Sequence, residues 1–454
     1  MSAVVIYSLF AAICVAGLAW PWVGLVGFFG FVILEPNWNW RWSIPLDFPF
    51  QKYIAACVLF GFVASGLRMP NLSESAKYAI VAFAAFIGLA FLSTTQTIDH
   101  ELSAFYMESL WKIVLMAILA VLLLDEPKKL WIFLIVIVLA QGYSAFQINL
   151  QYFEDGTSIY ARRNWGTKGD NNIYSNLTIP LIACSGSVVV FAKKNWVRAL
   201  VGVIFLLQLH QLMLLESRGA MLATAVMLVL FCYYMPKTQF AVRSVIFATV
   251  IGAALAGPPV VKEFSSVFAS EEERDASAES RFALWKAGFE ITADHPWLGV
   301  GPFAGQNLVP IYTGDIFEER KRKGLHNLVF EISTGTGVPA TCLYFAFFYL
   351  AWRQSWKRCK FDSQLQDDEE SRWLDAVSLA ATVGIPGYLL GNMFSSGALG
   401  ESGYALAAIG LAADSIRHGR AVPVADEMSQ ESCEPGVRIA LIDKLRRKRL
   451  HATD

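Results

Sequence analysis

Apolar residues fall along this chain in long blocks separated by short polar connections. They show neither the period-two alternation of a half-buried sheet nor the one-sided stripe of a helix on a water-soluble core. A helix needs about 20 apolar residues to cross the hydrocarbon layer of a bilayer. The blocks that approach this length are 3–33, 52–63, 78–93, 106–124, 130–146, 176–192, 197–215, 220–234, 245–257, 338–352, 374–394 and 404–416. The first accommodates either two short helices broken at Trp20-Pro21 or one tilted helix. A transmembrane barrel would show short alternating segments instead. The pattern predicts an all-α polytopic membrane protein of about 12–13 transmembrane helices.

Composition agrees. Hydrophobic residues are 55% of the chain, charged residues 17%, and mean hydropathy is +0.44. The placement of charge adds direction. Basic residues cluster in alternate connections: Arg68 and Lys77; Lys128 and Lys129; Lys193, Lys194 and Arg198; Lys237 and Arg243; Arg353, Lys357, Arg358 and Lys360. The tail repeats the pattern with Arg446, Arg447, Lys448 and Arg449. Such clusters mark the cytoplasmic side. The opposite side then receives 35–51, 96–102, 149–172, the Glu216–Gly219 turn and the long segment 258–325. Four regions follow: transmembrane helices over 1–258, a large outer loop over 259–325, further transmembrane helices over 326–417, and a cytoplasmic tail over 418–454. The first apolar stretch is too long, and lacks the basic start, for a cleavable signal.

A net charge of −1 gives no footprint for nucleic acid. The basic tail fits contact with membrane lipids. The seven cysteines lie in predicted spans or on the cytoplasmic side, so no disulfide is expected, and no CxxC pair suggests redox or metal chemistry. The acidic run Glu271-Glu272-Glu273-Arg274-Asp275 lacks metal-ligand spacing, and no cofactor is implied.

Candidate chemistry gathers on the outer side. Ser217-Arg218-Gly219-Ala220 opens a span. A helical stretch over 279–291 carries Arg281 one turn from Trp285, with Phe282, Trp285 and Phe289 expected to form its apolar face. Gly299-Val300-Gly301-Pro302 forms a turn, and His326-Asn327 leads into the next span. Arg162, Arg163 and Asp170 sit in another outer loop. A guanidinium fork at a membrane surface suits phosphate oxygens, and a near-neutral imidazole can take a proton from a hydroxyl. Structural readings stand beside these. Arg218 could snorkel or cap its helix. Arg281 could stack on Trp285. His326 could cap a helix, and Arg162, Arg163 and Asp170 could be loop charges. His210, inside a span, reads as a hydrogen-bonded packing residue, and Trp38–Trp42 as an interfacial belt.

The four outer motifs, in this order and on this side, resemble the O-antigen ligase and polymerase superfamily of bacterial inner-membrane glycosyltransferases. Trp20-Pro21-Trp22, Glu35-Pro36-Asn37 and Asp47-Phe48-Pro49-Phe50 are similar to its exosortase-associated O-glycosylation ligase branch. The resemblance implies a metal-independent, inverting enzyme. It would move a glycan from a polyprenyl-diphosphate carrier to a hydroxyl of a lipid, glycan or protein acceptor on the periplasmic face. Arg218 and Arg281 would bind the diphosphate and His326 would activate the acceptor. Ser217, Trp285, Asn327, Arg162 and Arg163 would support them. The long loop would be periplasmic, with short amphipathic helices. Family members often carry an acid before the glycine turn that follows the His-Asn pair. Here Ser333-Thr334-Gly335-Thr336-Gly337 has none, and Glu331 is the nearest carboxylate. A transporter of lipid-linked glycans would instead place ionisable groups or broken helices near the midplane.

Overall fold

The structure, a computed structural model, describes residues 3–156, 170–240, 242–243, 276–314, 322–359 and 368–431. It is all-helical, with no strand among these residues. In chain order the helices are α1 (Ala3–Ala19), α2 (Pro21–Leu34), α3 (Pro36–Asn39), α4 (Phe50–Ala64), α5 (Glu74–Ser93), α6 (His100–Leu123), α7 (Pro127–Asp155), α8 (Asn171–Phe191) and α9 (Asn195–Leu214). They continue as α10 (Arg218–Tyr234), α11 (Ala276–Asp294), α12 (Val309–Thr313), α13 (Leu328–Arg358), α14 (Glu369–Asn392) and α15 (Glu401–Glu431).

Each predicted span falls on a helix, except 245–257, which lies outside the described residues together with the acidic run 271–275. The first block is two helices, because Pro21 takes the opening position of α2, where its missing N–H costs nothing. Among the described residues six helices, α5 through α9 and α14, are long and apolar enough to cross a membrane. The shorter apolar helices α1, α2, α4 and α10 have 17, 14, 15 and 17 residues. At 1.5 Å per residue they reach about 21–26 Å, somewhat less than a bilayer core of about 30 Å.

Lipid tails are as apolar as leucine, so helix association in a membrane rests on close packing and small residues. That explains the centre of the bundle. The stretch Tyr404-Ala405-Leu406-Ala407-Ala408-Ile409-Gly410-Leu411-Ala412-Ala413 of α15 is wholly buried. The helix as a whole touches α5, α6, α8, α13 and α14. Around it stack the large side chains: Phe83 lies on Phe347 with ring centroids 4.0 Å apart, and Tyr404 reaches Tyr344 at 3.1 Å between hydroxyls. His210 is hydrogen-bonded to Asn149 and stacked on Phe153, the packing role expected of it. The tryptophan belt is only partly a belt. Trp42 is exposed, but Trp40 is buried against Tyr143 at 5.0 Å.

One break in a helix positions the site. α13 departs from helical geometry at Gly337, whose φ of 82° suits glycine. Pro339 has no N–H to give the carbonyl of Gly335. That carbonyl accepts instead from Gly301 N at 3.0 Å and Ser93 Oγ at 2.8 Å, and Thr334 O accepts from Val300 N at 2.9 Å. The glycine turn read from the sequence is thus the strap that repairs the break. A side chain at Gly337 would strike Trp297 O at 2.2 Å, so strap and helix meet backbone to backbone.

Candidate active site

Five chain segments meet at the end of the bundle that the basic-residue pattern assigns to the outside. The first is the start of α8. Asp170 caps it, its Oδ1 accepting from Asn172 N at 2.6 Å. Asn171 Nδ2 donates to Leu215 O at 2.8 Å, and Ser217 Oγ donates to Asn172 Oδ1 at 2.8 Å. Ser217 is buried and precedes α10 without capping it. Its hydroxyl is spent on α8, which fixes where Arg218, the first residue of α10, emerges.

The second meeting is through Phe394, just past the end of α14. Its ring faces the Trp285 indole at a centroid distance of 6.0 Å. It also fills the space over Gly219, where an added Cβ would come within 2.7 Å of Phe394 Cβ. Phe394 therefore lies between the residue after Arg218 and the residue one turn from Arg281. Among the described residues no cation–π pair joins Arg281 to Trp285, so the stacking alternative is not what the structure shows. Trp285 Nε1 is buried and has no hydrogen-bond partner among the described residues.

The apolar face expected of α11 is corrected. Phe282 and Phe289 are exposed, and the buried stripe is Leu284, Ala287 and Ile291. The reason is close approach. Ala287 and Gly288 let α11 press onto Phe330 and Leu325, which larger residues would prevent. Beside it, Arg281 and Trp285 continue at helical spacing a strip whose Gly288 and Thr292 face the start of α13. Thr292 Oγ1 stands 2.8 Å from Ser333 Oγ there.

His326 is not a cap. It precedes α13 in a left-handed conformation, φ 48°, and Asn327 does the capping. Asn327 Oδ1 accepts from Val329 N at 2.9 Å, and its Nδ2 donates to Met393 O at 3.1 Å. Glu216, before Ser217, has φ 52°. A non-glycine residue held there costs on the order of 1–3 kcal/mol, and such strain concentrates at functional sites. The position a Gly324 side chain would take lies 3.7 Å from both His326 Nε2 and Ser396 Oγ, so these two flank one small space.

Electrostatics binds the cluster. Burial depresses the Arg281 guanidinium, Arg218 depresses it further, and Asp170 acts the other way. Burial likewise holds the His326 imidazole below its ordinary value, with Asp170 opposing and Arg281 reinforcing. Two mutually repelling guanidiniums beside a half-buried imidazole whose protonation burial disfavours form a site that an anion would relieve. Glu331, the nearest carboxylate in sequence, turns elsewhere: backbone N–H groups of Ala398 and Gly397 donate to it. Arg162 and Arg163 lie outside the described residues.

The sequence reading singled out Arg218, Arg281 and His326, and the structure brings the three together. In the sequence Asp170 reads only as a loop charge, and the asparagines of α8 and Phe394 are not singled out. Asp170-Asn171-Asn172 before an apolar run is a helix-start signal, but nothing local says what that helix start will face. A separate cavity of about 500 Å³ lies among α2, α4 and α6, lined by Glu35, Asp47, Glu108, Glu401, Lys52 and Lys112 with several phenylalanines.

Residues 203–345 match the family model described as O-antigen ligase. No curated protein matches the chain. The matched stretch holds Arg218, Arg281 and His326, and it bears out the resemblance read from the motifs. The chain is an all-α polytopic membrane protein in which residues 203–345 are similar to the O-antigen ligase family.

Proposed function

We propose that this protein transfers a glycan from a polyprenyl-diphosphate carrier to an acceptor hydroxyl at the periplasmic face of the bacterial inner membrane. Arg218 and Arg281 hold the diphosphate, and His326 takes the acceptor's proton. The acceptor oxygen attacks the anomeric carbon as the bond from that carbon to the diphosphate oxygen breaks. The electron pair leaves on the polyprenyl diphosphate, and the proton goes to the imidazole. Attack opposite the leaving group inverts the anomeric centre. In this reading the protein's own groups carry the whole step, without a metal.

The observation that carries this reading is the pairing of Arg218 with Arg281 beside His326, from three segments far apart in sequence. A pair of forked cations suits a diphosphate, whose departure they ease by holding its charge. Burial favours the neutral form of the imidazole, the form a general base requires. The unpartnered Trp285 indole N–H supplies a further donor for a substrate oxygen. A lipid, a second lipid-linked glycan or a protein could each supply the hydroxyl, and product analysis separates ligase from polymerase. A flippase would leave the donor chemically intact. The test is glycan transfer by purified protein carrying Arg218→Ala. Loss of transfer with normal membrane insertion supports the reading, and full retention overturns it.

A further inference from the structure

The base has no carboxylate where the resemblance would place one, in the segment that follows it. We infer that Asp170, at the start of α8, is the positioning residue of His326, the acid that supports the imidazole as it takes up its proton. This rests on the reading of His326 as the general base.

Several elements face the imidazole. From α11 comes Arg281, which opposes a proton on the ring, and Arg218 of α10 acts in turn on Arg281. From the turn after α14 comes Ser396, which carries no charge. Arg322 and Lys323 precede His326 in its own segment. Glu331 is held by the backbone of Gly397 and Ala398. Asp170 is the carboxylate that acts on both His326 and Arg281.

Its placement is fixed by the fold. One carboxylate oxygen is tied down by Asn172 N, and Asn172 is tied to Ser217 beside Arg218. Further along α8, Asn176 Nδ2 donates to Gly391 O at 3.1 Å. Asn327, the neighbour of His326, donates to Met393 O, two residues on. Asp170 and His326 are thus strung from the same end of α14, and Asp170 and Arg218 from the same turn. A carboxylate so held pays little to reorganise when the imidazole becomes cationic. Without it, the base would face the Arg281 guanidinium unaided, and each proton taken up would be repelled.

Asp170→Asn tests this, because asparagine caps a helix as well as aspartate does and removes only the charge. The full-length protein in detergent or nanodiscs is treated with diethyl pyrocarbonate across pH. Modification of the His326 peptide is then followed by mass spectrometry, which needs no substrate. Removing the acid lowers the midpoint of His326 modification by roughly half a unit or more. Transfer at neutral pH falls about tenfold, while KM for a polyprenyl-diphosphate glycan donor does not rise, since Asp170 opposes an anion at the arginines. Asp170→Glu restores part of the shift. An unmoved midpoint in a well-folded Asp170→Asn protein overturns the inference, as does a loss of transfer carried by donor KM alone. His326→Ala tests the underlying reading separately. If that variant still transfers glycan, the base assignment fails, whatever the midpoint in Asp170→Asn does.

Discussion

Trp285 and Phe394 meet ring to ring at 6.0 Å, although one lies on α11 and the other just beyond α14. Because Phe394 also fills the space over Gly219, this contact sets the separation of Arg218 and Arg281. An aromatic pair contributes about 0.5–1.5 kcal/mol beyond its buried area. Phe394→Ala should therefore raise donor KM roughly threefold to tenfold, more than it lowers kcat. Steady-state kinetics over a range of donor concentrations reads the split.

Trp285→Phe separates packing from donation. It keeps a ring against Phe394 and deletes the indole N–H, which has no partner among the described residues, at the cost of the smaller part of the bicycle. A buried donor without an acceptor costs about 1–3 kcal/mol. The substitution should thus leave Tm unchanged or slightly raised, yet lower transfer severalfold. A fall in Tm with unchanged transfer would assign the indole to structure alone.

Gly337→Ala should be among the most destabilising single-methyl changes in the chain. It places a Cβ 2.2 Å from Trp297 O and forces a non-glycine residue to φ 82°. Strain of about 1–3 kcal/mol from the dihedral alone is expected, with the clash added. Thermal unfolding in detergent measures it. Because the strap it touches repairs the break in the helix that His326 precedes, transfer should fall as well.

The pH profile has a definite sign. A base works when neutral, so transfer is full above the His326 pKa and falls as pH drops through it. Burial and Arg281 lower that pKa, so the acid limb should lie below the ordinary imidazole value of about 6.5. Arg281→Gln should move the midpoint of His326 modification upward, whereas Asp170→Asn moves it downward. Opposite signs from two charges facing one ring are hard to produce by general loosening of the fold.

Much of the architecture was legible because it follows from local chemistry. Apolar block length marks the helices, Pro21 marks the first break, and glycine with proline marks the strap over 299–302. Arg218 was legible because a cation at the end of an apolar span is costly and asks for a reason, and Arg281 and His326 because they follow it in order on the outer side. Less legible was which face of α11 is buried. Helical spacing of Phe282, Trp285 and Phe289 pointed to bulk, while the structure buries the small residues Ala287 and Gly288 that permit close approach. Nor could spacing reveal Asp170 or Phe394, since their partners are brought to them only by the packing of α8 and α14.

The most direct measurement is glycan transfer by purified His326→Ala protein with a polyprenyl-diphosphate glycan donor, alongside a donor-binding assay. The account predicts that transfer falls on the order of a hundredfold or more while donor binding survives, because Arg218 and Arg281 remain. Transfer at the wild-type rate by a correctly inserted His326→Ala protein would contradict it.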